Sequence, residues 1–214
     1  MLNRIRNRAL ELIKPIHRSL RRRKLRPFLA DCSHSGEETL LDVGGSLGVD
    51  GEFESLYRSF RSVAVLNLND PGTKFPGDLS AYRVTGDGCG LPFPPASFDW
   101  VFSNAVIEHV GDWDRQKQFA VEIRRVARIG YFVATPNKSF PIEPHTLLPF
   151  YQFLSEPWQR RYLSLSPGYL REYESICLLT ARQMRELFPD AQVTDAGFPV
   201  LGNSLVAYRN GSKG

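Results

Sequence analysis

The stretch Leu40-Leu41-Asp42-Val43-Gly44-Gly45-Ser46-Leu47-Gly48 decides the fold of this chain. An apolar run that begins at Thr39 carries one acid, Asp42, and then breaks into three glycines within five residues. Polar, helix-compatible sequence follows over residues 52–60. This order predicts a buried parallel strand, a tight turn and a helix, which is where open α/β sheets hold nucleotide-like ligands. Glycine lets the backbone turn sharply and approach a ligand closely, because no Cβ intervenes.

The spacing of the glycines narrows the class of ligand. A dinucleotide fingerprint needs glycines at its first, third and sixth positions, which here hold Gly44, Ser46 and Val49. A phosphate-binding loop ends in Gly-Lys-Ser/Thr, and the sequence contains no such triplet. The stretch instead resembles the first motif of class I S-adenosylmethionine-dependent methyltransferases, with Ser46 in place of the middle glycine.

Three later segments extend this resemblance, which implies S-adenosylmethionine as the cofactor. Asn67, in a second apolar strand over residues 63–69, matches the acid that binds the ribose hydroxyls in that family, with Asn69 or Asp70 as the alternative. Asp87 matches the acid that accepts a hydrogen bond from the adenine amino group. Asn104, at the end of a strand over residues 97–104, matches the methionine end of the site. The implied cofactor-binding residues are Asp42, Gly44, Gly45, Ser46, Gly48, Asn67, Asp87, Gly88, Cys89 and Asn104.

The resemblance covers residues 36–209 and implies one methyltransferase domain. Its expected fold is α/β: a Rossmann-like, seven-stranded, mostly parallel sheet with an antiparallel last strand, helices on both faces and a helical insertion after strand five. Residues 131–137 match the fifth strand. Thr180 and Pro189 are typical first and last signals of a helix, and short strands are expected near residues 192–195 and 204–208.

Composition agrees with a single globular domain. The chain has 214 residues and 42% hydrophobic content, enough for a substantial core. No apolar run is long enough to span a membrane, and arginines interrupt any secretory signal within the first 30 residues. Cys32, Cys89 and Cys177 have no paired spacing, so we expect reduced thiols in a cytoplasmic protein and no zinc site.

Charge is concentrated in an N-terminal arm. Residues 1–30 hold ten Lys or Arg against the single acid Glu11, a net +9, and the total of +4 leaves −5 for the remainder. Apolar residues recur there at helical spacing, which predicts a basic amphipathic helix divided at Pro15. Such a helix could cover the sheet or the cofactor cleft. The alternative is that residues 1–26 bind to the anionic inner membrane surface. Two further alternatives for the arm are contact with nucleic acid and an Arg-rich targeting peptide. Of these, we do not expect the nucleic-acid partner.

Catalysis of methyl transfer needs in-line positioning and removal of a proton from the acceptor. Of the four histidines, His17 lies in the arm and His34 in a Ser-containing linker, which leaves His109 and His145. His109 follows Glu108 just after the fourth strand, where it either acts in catalysis or supports the loop under the cofactor. Some quinone-precursor methyltransferases bind a divalent metal with a second acid three residues before this Glu. In this chain the position of that second acid holds Ala105, so no metal is expected.

His145 is the first candidate for the general base, with His109 second. It lies in Pro141-Ile142-Glu143-Pro144-His145-Thr146, after the fifth strand, where Glu143 is expected to orient it or bind substrate. The alternative is that the prolines and His145 only shape a loop packed on the sheet. This segment is similar to a methyltransferase subgroup linked to bacterial surface-polysaccharide and glycolipid pathways.

An aromatic, basic segment follows over residues 150–173. It forms either a helical insertion with an aromatic core or a lid whose rings stack on a sugar. We therefore expect methyl transfer from S-adenosylmethionine to an oxygen of a small molecule or of a saccharide or glycolipid of such a pathway. Two alternatives remain open. One is a methyltransferase-like scaffold that binds cofactor without catalysis. The other is a nucleic-acid methyltransferase, although the Asn/Asp-Pro-Pro-Tyr/Phe motif for base nitrogens is absent after strand four.

Overall fold

The computed structural model describes residues 24–31, 36–45, 53–69, 75–143, 145–146, 148–164, 176–197 and 202–211. Two predicted cofactor residues, Ser46 and Gly48, lie outside these ranges. Residues 1–23 of the N-terminal arm, which include His17, also lie outside the described residues, as do Cys32 and His34.

The described chain forms the predicted seven-stranded sheet. Its strands are β1 (Thr39–Val43), β2 (Ser62–Asn67), β3 (Ala81–Thr85), β4 (Phe98–Asn104), β5 (Ala127–Pro136), β6 (Gln192–Ala196) and β7 (Ser204–Asn210). Their order across the sheet is β3-β2-β1-β4-β5-β7-β6. Strand β7 runs antiparallel to both of its neighbours, and the pairings from β3 through β5 are all parallel. The expectation of a mostly parallel sheet with an antiparallel last strand is confirmed.

Helices surround the sheet. They are α1 (residues 24–31), α2 (Glu54–Tyr57), α3 (Trp113–Val126), α4 (Glu156–Leu163) and α5 (Ala181–Leu187). Helix α2 is shorter than the predicted segment 52–60. The expected insertion after strand five consists of a 3-10 turn over Tyr151–Phe153 followed by α4. No helix within the described ranges is long and apolar enough to cross a membrane.

Side-chain caps fix where two of these helices begin. Asp112 accepts a hydrogen bond from the Arg115 amide at the start of α3. Thr180 and Gln183 form a reciprocal capping box at the start of α5, as the sequence signal at Thr180 predicts.

Alternate residues of each strand enter two separate cores, one on each face of the sheet, because successive strand side chains point in opposite directions. On one face Leu41 and Val101 pack with residues of α3 and α5. On the other face Leu40 and Trp100 pack with residues of α1 and α2. The sheet is thus covered on both sides, which is the condition under which parallel sheets are stable.

Helix α1 is an integral part of the second core. The Phe28 side chain is fully buried, and its ring centroid lies 5.6, 5.7 and 5.4 Å from those of Trp100, Phe102 and Phe132. Leu25 is buried in the same cluster, while Arg26 is exposed. The described end of the arm therefore covers the sheet.

Candidate functional site

A cavity of about 350 Å³ opens at the carboxyl ends of β1, β2 and β4. This is the edge at which parallel α/β sheets bind ligands, and the volume is within the range of small-molecule sites. The predicted residues on its wall are Gly44, Asn67, Asp87, Gly88 and His109. Among the other predicted residues that the structure describes, Asp42, Gly45, Cys89 and Asn104 adjoin lining residues in sequence but are not on the wall themselves.

Asp42 is a buried carboxylate with one uncommitted oxygen. Its side chain is only 1% exposed, and Oδ2 accepts a hydrogen bond of 2.5 Å from the Tyr57 hydroxyl. Oδ1 has no hydrogen-bond partner among the described residues. Burial raises the pKa of Asp42 to about 7, against the opposing effect of the Tyr57 bond. An ammonium group of a bound ligand would favour the ionised form.

The glycine turn after β1 is shaped around this carboxylate. Gly44 has a φ of +77°, a left-handed conformation that favours glycine. A Cβ on Gly45 would overlap the carboxyl group of Asp42. Both glycines are therefore required by the local geometry, one by its backbone angle and the other by the space that Asp42 occupies.

Asn67 joins the ends of β1 and β2. Its Nδ2 donates a 2.9 Å hydrogen bond to the carbonyl oxygen of Gly45. The side-chain amide also keeps an acceptor oxygen on a residue that lines the cavity. Asn67 can thus hold the glycine turn and accept a hydrogen bond from a ligand hydroxyl at the same time.

Asp87 lines the cavity just after β3, and both of its oxygens accept hydrogen bonds. Oδ1 accepts a bond from the Cys89 amide at 2.9 Å, and Oδ2 accepts one from Arg115 Nη2 at 2.7 Å. The bond from the Cys89 amide, followed by that from Arg115, lowers the pKa of Asp87 below its usual value. Nearby, a Cβ on Gly88 would lie 2.7 Å from the Phe119 ring, so the cavity floor is tightly packed there.

A hydrogen bond at the end of β4 connects helix α1 to the site. Asn104 Oδ1 accepts a 2.6 Å hydrogen bond from Lys24 Nζ, across 80 residues of sequence. Ala105 follows with a φ of +58°, an uncommon angle for a residue with a side chain. This left-handed turn leads directly into the 3-10 turn Ile107–His109.

The structure brings all three predicted catalytic residues together with a fourth residue, the acid Glu108. We call Glu108, His109, Glu143 and His145 the histidine cluster. The rings of His109 and His145 meet edge to face, with centroids 5.1 Å apart. His145 does not line the cavity as described, so His109 is the histidine that joins the cluster to the cavity wall.

Two buried carboxylates lie beside these rings, and one of them, Glu143, orients His145. Glu143 Oε1 lies 2.6 Å from His145 Nδ1, and Glu143 Oε2 accepts bonds from the amide and hydroxyl of Thr146. Burial opposes ionisation of Glu143, but the hydrogen bonds from His145 and Thr146 outweigh it, so its pKa lies below the usual value. Glu108 is fully buried, and burial raises its pKa.

These residues fit S-adenosylmethionine. The uncommitted oxygen of buried Asp42 suits the cationic amino group, and Asn67 and Asp87 line the wall where acceptors for the ribose and adenine are expected. A Cβ on Gly44 would collide with Val106 and one on Gly88 with Phe119, two residues that line the cavity, so the shape of the wall depends on both glycines. The sequence does not single out Tyr57, Arg115 or Lys24, because each reaches its partner only through tertiary packing.

Comparison with known proteins agrees with this geometry. Residues 41–134 match the family model described as a methyltransferase domain. No protein of curated function matches the chain at a significant level.

Among solved structures, the chain is similar to a S-adenosylmethionine-dependent methyltransferase from Methanosarcina mazei, with TM-score 0.56 and 17% identity over 86% of this chain and 97% of that one. An Aquifex aeolicus S-adenosylmethionine-dependent methyltransferase matches with TM-score 0.51 and 14% identity, over 87% of this chain and 90% of that one. Phosphoethanolamine N-methyltransferase 2 of Haemonchus contortus, solved with S-adenosyl-L-methionine, matches with TM-score 0.54 and 19% identity, over 80% of this chain and 38% of that one.

Proposed function

Because this chain has the class I S-adenosylmethionine-dependent methyltransferase fold and carries a methyltransferase domain, we propose that it methylates a hydroxyl oxygen of a small molecule or saccharide. The observation that carries the proposal is that the cofactor cavity and the histidine cluster share one residue, His109. A methyl donor in the cavity would therefore lie beside side chains suited to handling an acceptor proton.

The cofactor is S-adenosylmethionine. We assign its amino group to Asp42, its ribose to Asn67 and its adenine to Asp87, with Gly44, Gly45, Gly88 and Cys89 shaping the cavity and Asn104 at the methionine end. Ser46 and Gly48 complete the proposed set from outside the described residues. When bound, the cofactor would supply an electrophilic methyl group to the acceptor oxygen, with the electron pair of the carbon–sulfur bond passing to sulfur. The proton of the acceptor hydroxyl would pass to the histidine cluster.

We assign control of that proton to the histidine cluster as a unit. A hydroxyl is a poor nucleophile at neutral pH, so its methylation benefits from a group that favours loss of the proton. His109 meets the cavity, His145 contacts His109, and Glu143 fixes the ring of His145. The catalytic residues we propose are therefore His145, His109 and Glu143.

The insertion after β5 supports a saccharide acceptor. The side chains of Phe150, Phe153 and Trp158 are 60%, 57% and 61% exposed, although aromatic rings are usually well buried. Exposed rings are suited to stack on the apolar face of a sugar. For a lipid-linked saccharide of a bacterial surface pathway, the basic residues 1–26 would contact the anionic inner membrane surface.

The test begins with calorimetric titration of S-adenosylmethionine and S-adenosylhomocysteine into the wild type and Asp42→Ala. We expect micromolar binding that weakens at least tenfold in the variant. Release of S-adenosylhomocysteine is then measured with free saccharides, lipid-linked saccharides, phenols, amines and RNA. Failure of a folded wild type to bind either nucleoside would overturn the enzyme assignment.

Acceptor selectivity separates the alternatives. Turnover with a hydroxylated acceptor supports the proposal, whereas turnover confined to RNA or to amines contradicts it. Cofactor binding without turnover on any acceptor identifies a scaffold. His145→Ala and Glu143→Gln should lower kcat by about 10²–10⁴-fold and leave S-adenosylhomocysteine affinity unchanged, since these residues act on the acceptor.

A further inference from the structure

Glu108, His109 and His145 bring three metal-ligand atoms close together, and we propose that they bind one divalent transition-metal ion. The three atoms all lie within 4.8 Å of one another, and His109 Nε2 is 3.9 Å from Glu108 Oε1. Two ligands on one tetrahedral zinc ion lie roughly 3.4 Å apart when each metal–ligand bond is about 2.1 Å. Small side-chain rotations would therefore close the set around an ion.

The carboxylate of Glu108 gives an independent reason for a cation here. Its side chain is fully buried, and Oε2 accepts a 2.9 Å hydrogen bond from the Thr135 hydroxyl. Oε1 accepts no hydrogen bond within the described part of the chain. A buried carboxylate oxygen without a hydrogen-bond partner costs free energy, and an ion would supply the missing interaction. Thr135 meanwhile holds the carboxylate in a fixed orientation.

Glu143 supports the second ligand in the way that outer carboxylates support metal-binding histidines. It accepts from His145 Nδ1 at 2.6 Å, which leaves the lone pair of the neutral ring on Nε2. Glu143 Oε2 is already engaged by the amide and hydroxyl of Thr146, at 2.6 and 2.8 Å. Glu143 therefore orients His145 and is not itself a ligand of the ion.

The backbone that carries Glu108 and His109 is braced from two sides. Gln116 Nε2 donates to the carbonyl oxygens of Ile107 and Cys177, at 3.2 and 2.7 Å. The Cys177 amide donates to the carbonyl oxygen of Glu108 at 2.9 Å. Metal sites depend on ligands whose positions are fixed before the ion arrives, and these bonds provide that fixation.

The donor set indicates the class of ion. Two imidazole nitrogens and one carboxylate oxygen suit Zn²⁺, Fe²⁺ or Co²⁺, whereas Mg²⁺ and Ca²⁺ prefer oxygen ligands throughout. Three protein ligands leave at least one coordination position for water or substrate. The sequence gives no reason to expect this set, because Ala105 stands where the second acid would be and His145 comes from a separate segment.

The role of the ion rests on the proposed function. A hydroxyl bound at the open position would lose its proton to solvent more readily, because the cation lowers the pKa of a bound oxygen. The oxygen then takes the methyl group as the carbon–sulfur bond breaks toward sulfur. The ion would thereby take the role that the sequence predicts for His145 as a free base.

Binding of Co²⁺ to the chelator-treated full chain tests the site. We expect one ion per chain, with the absorption bands of cobalt in a protein site of low coordination number, and displacement by Zn²⁺. His145→Ala and Glu108→Gln should abolish this binding, and Glu143→Gln should weaken it about 10–100-fold. Asp114→Asn, which alters a carboxylate that is 77% exposed on α3 and outside the ligand set, is the matched control and should bind Co²⁺ as the wild type does.

S-adenosylhomocysteine titration and thermal unfolding of every variant accompany the cobalt experiment. If the nucleoside binds and cobalt does not, or if cobalt binds equally to folded His145→Ala, the metal site is overturned and the proposed function stands. If cobalt binds as expected and the nucleoside does not, the metal site stands and the proposed function falls. If Glu108→Gln fails to fold, His145→Ala decides the question, since the His145 side chain is 28% exposed.

Discussion

The Tyr57 hydroxyl lies 2.5 Å from Oδ2 of Asp42 in the buried space behind the glycine turn. A neutral donor at this position leaves the carboxylate without a full counter-charge. Burial then dominates and raises the pKa of Asp42 to about 7. The ionisation state of Asp42 consequently changes across the physiological pH range.

Cofactor affinity should therefore depend on pH. A cationic amino group favours ionised Asp42, so S-adenosylhomocysteine affinity should rise about tenfold between about pH 6 and about pH 8. Asp42→Asn should bind weakly and without this dependence. Calorimetric titration at several pH values measures both, and a wild-type affinity independent of pH would contradict the assignment of the amino group to Asp42.

The same shift predicts the opposite trend for the stability of the cofactor-free protein. The pKa of Asp42 is raised in the folded state from 3.8 to about 7, so the folded state binds the proton more tightly than the unfolded state. The contribution of protonated Asp42 to the free energy of unfolding is therefore fully present below about pH 4 and is lost as the pH rises through about 7. Asp42→Asn, which stays neutral, should therefore gain in Tm relative to the wild type between about pH 5 and about pH 8.

Thermal unfolding of both proteins across that range checks this prediction. Other carboxylates titrate equally in the two proteins, so the difference in Tm isolates position 42. A difference that stays constant with pH would show that Asp42 is ionised throughout.

Replacement of Gly45 by alanine should disrupt the cofactor site. The added Cβ would overlap the Asp42 carboxyl group, so either the acid or the turn must move. We expect S-adenosylhomocysteine affinity to fall at least tenfold, since an Ångström-scale displacement removes a charge-assisted bond worth about 1.5–3 kcal/mol. Gly90→Ala is the matched control, because a Cβ there meets nothing within 4 Å. Equal affinities of the two variants would refute this account of the turn.

Helix α1 should contribute substantially to the stability of the domain. Phe28 is fully buried among Trp100, Phe102 and Phe132. Phe28→Ala should lower the free energy of unfolding by about 3–5 kcal/mol, the usual cost of emptying such a site. Arg26→Ala, on the exposed face of the same helix, should change it by less than about 0.5 kcal/mol. Urea unfolding measures both, and a small effect of Phe28→Ala would mean that α1 is only loosely attached.

Much of the fold was predictable because local sequence determined it. The strand before Gly44 and the capped helix after Thr180 follow from apolar runs and turn residues, and both are present at the expected positions. Helix α2 was less predictable: residues 52–60 are helix-compatible throughout, yet only Glu54–Tyr57 are helical. Packing against the sheet, rather than propensity, decides such ends.

The candidate site was predictable only in part. Asp42, Asn67 and Asp87 each lie near the carboxyl end of a strand, so their approximate location follows from the topology of a parallel sheet. The contact of His109 with His145 depends on the path of the loop after β5, and no periodicity encodes that path. The bond from Lys24 to Asn104 likewise depends on how α1 docks. Long-range pairings of this kind become visible only when the chain is folded.

The close packing of Asp42 against Gly45 also constrains how this sequence can change over evolutionary time. Any side chain at position 45 collides with the acid at position 42, so the two positions cannot vary independently. Lineages that retain Asp42 should retain Gly45, and a larger residue at position 45 should arise only where a smaller residue has already replaced the acid. The order of substitution is thus imposed by the collision, and a side chain at position 45 becomes a marker of descendants in which the acid has been lost.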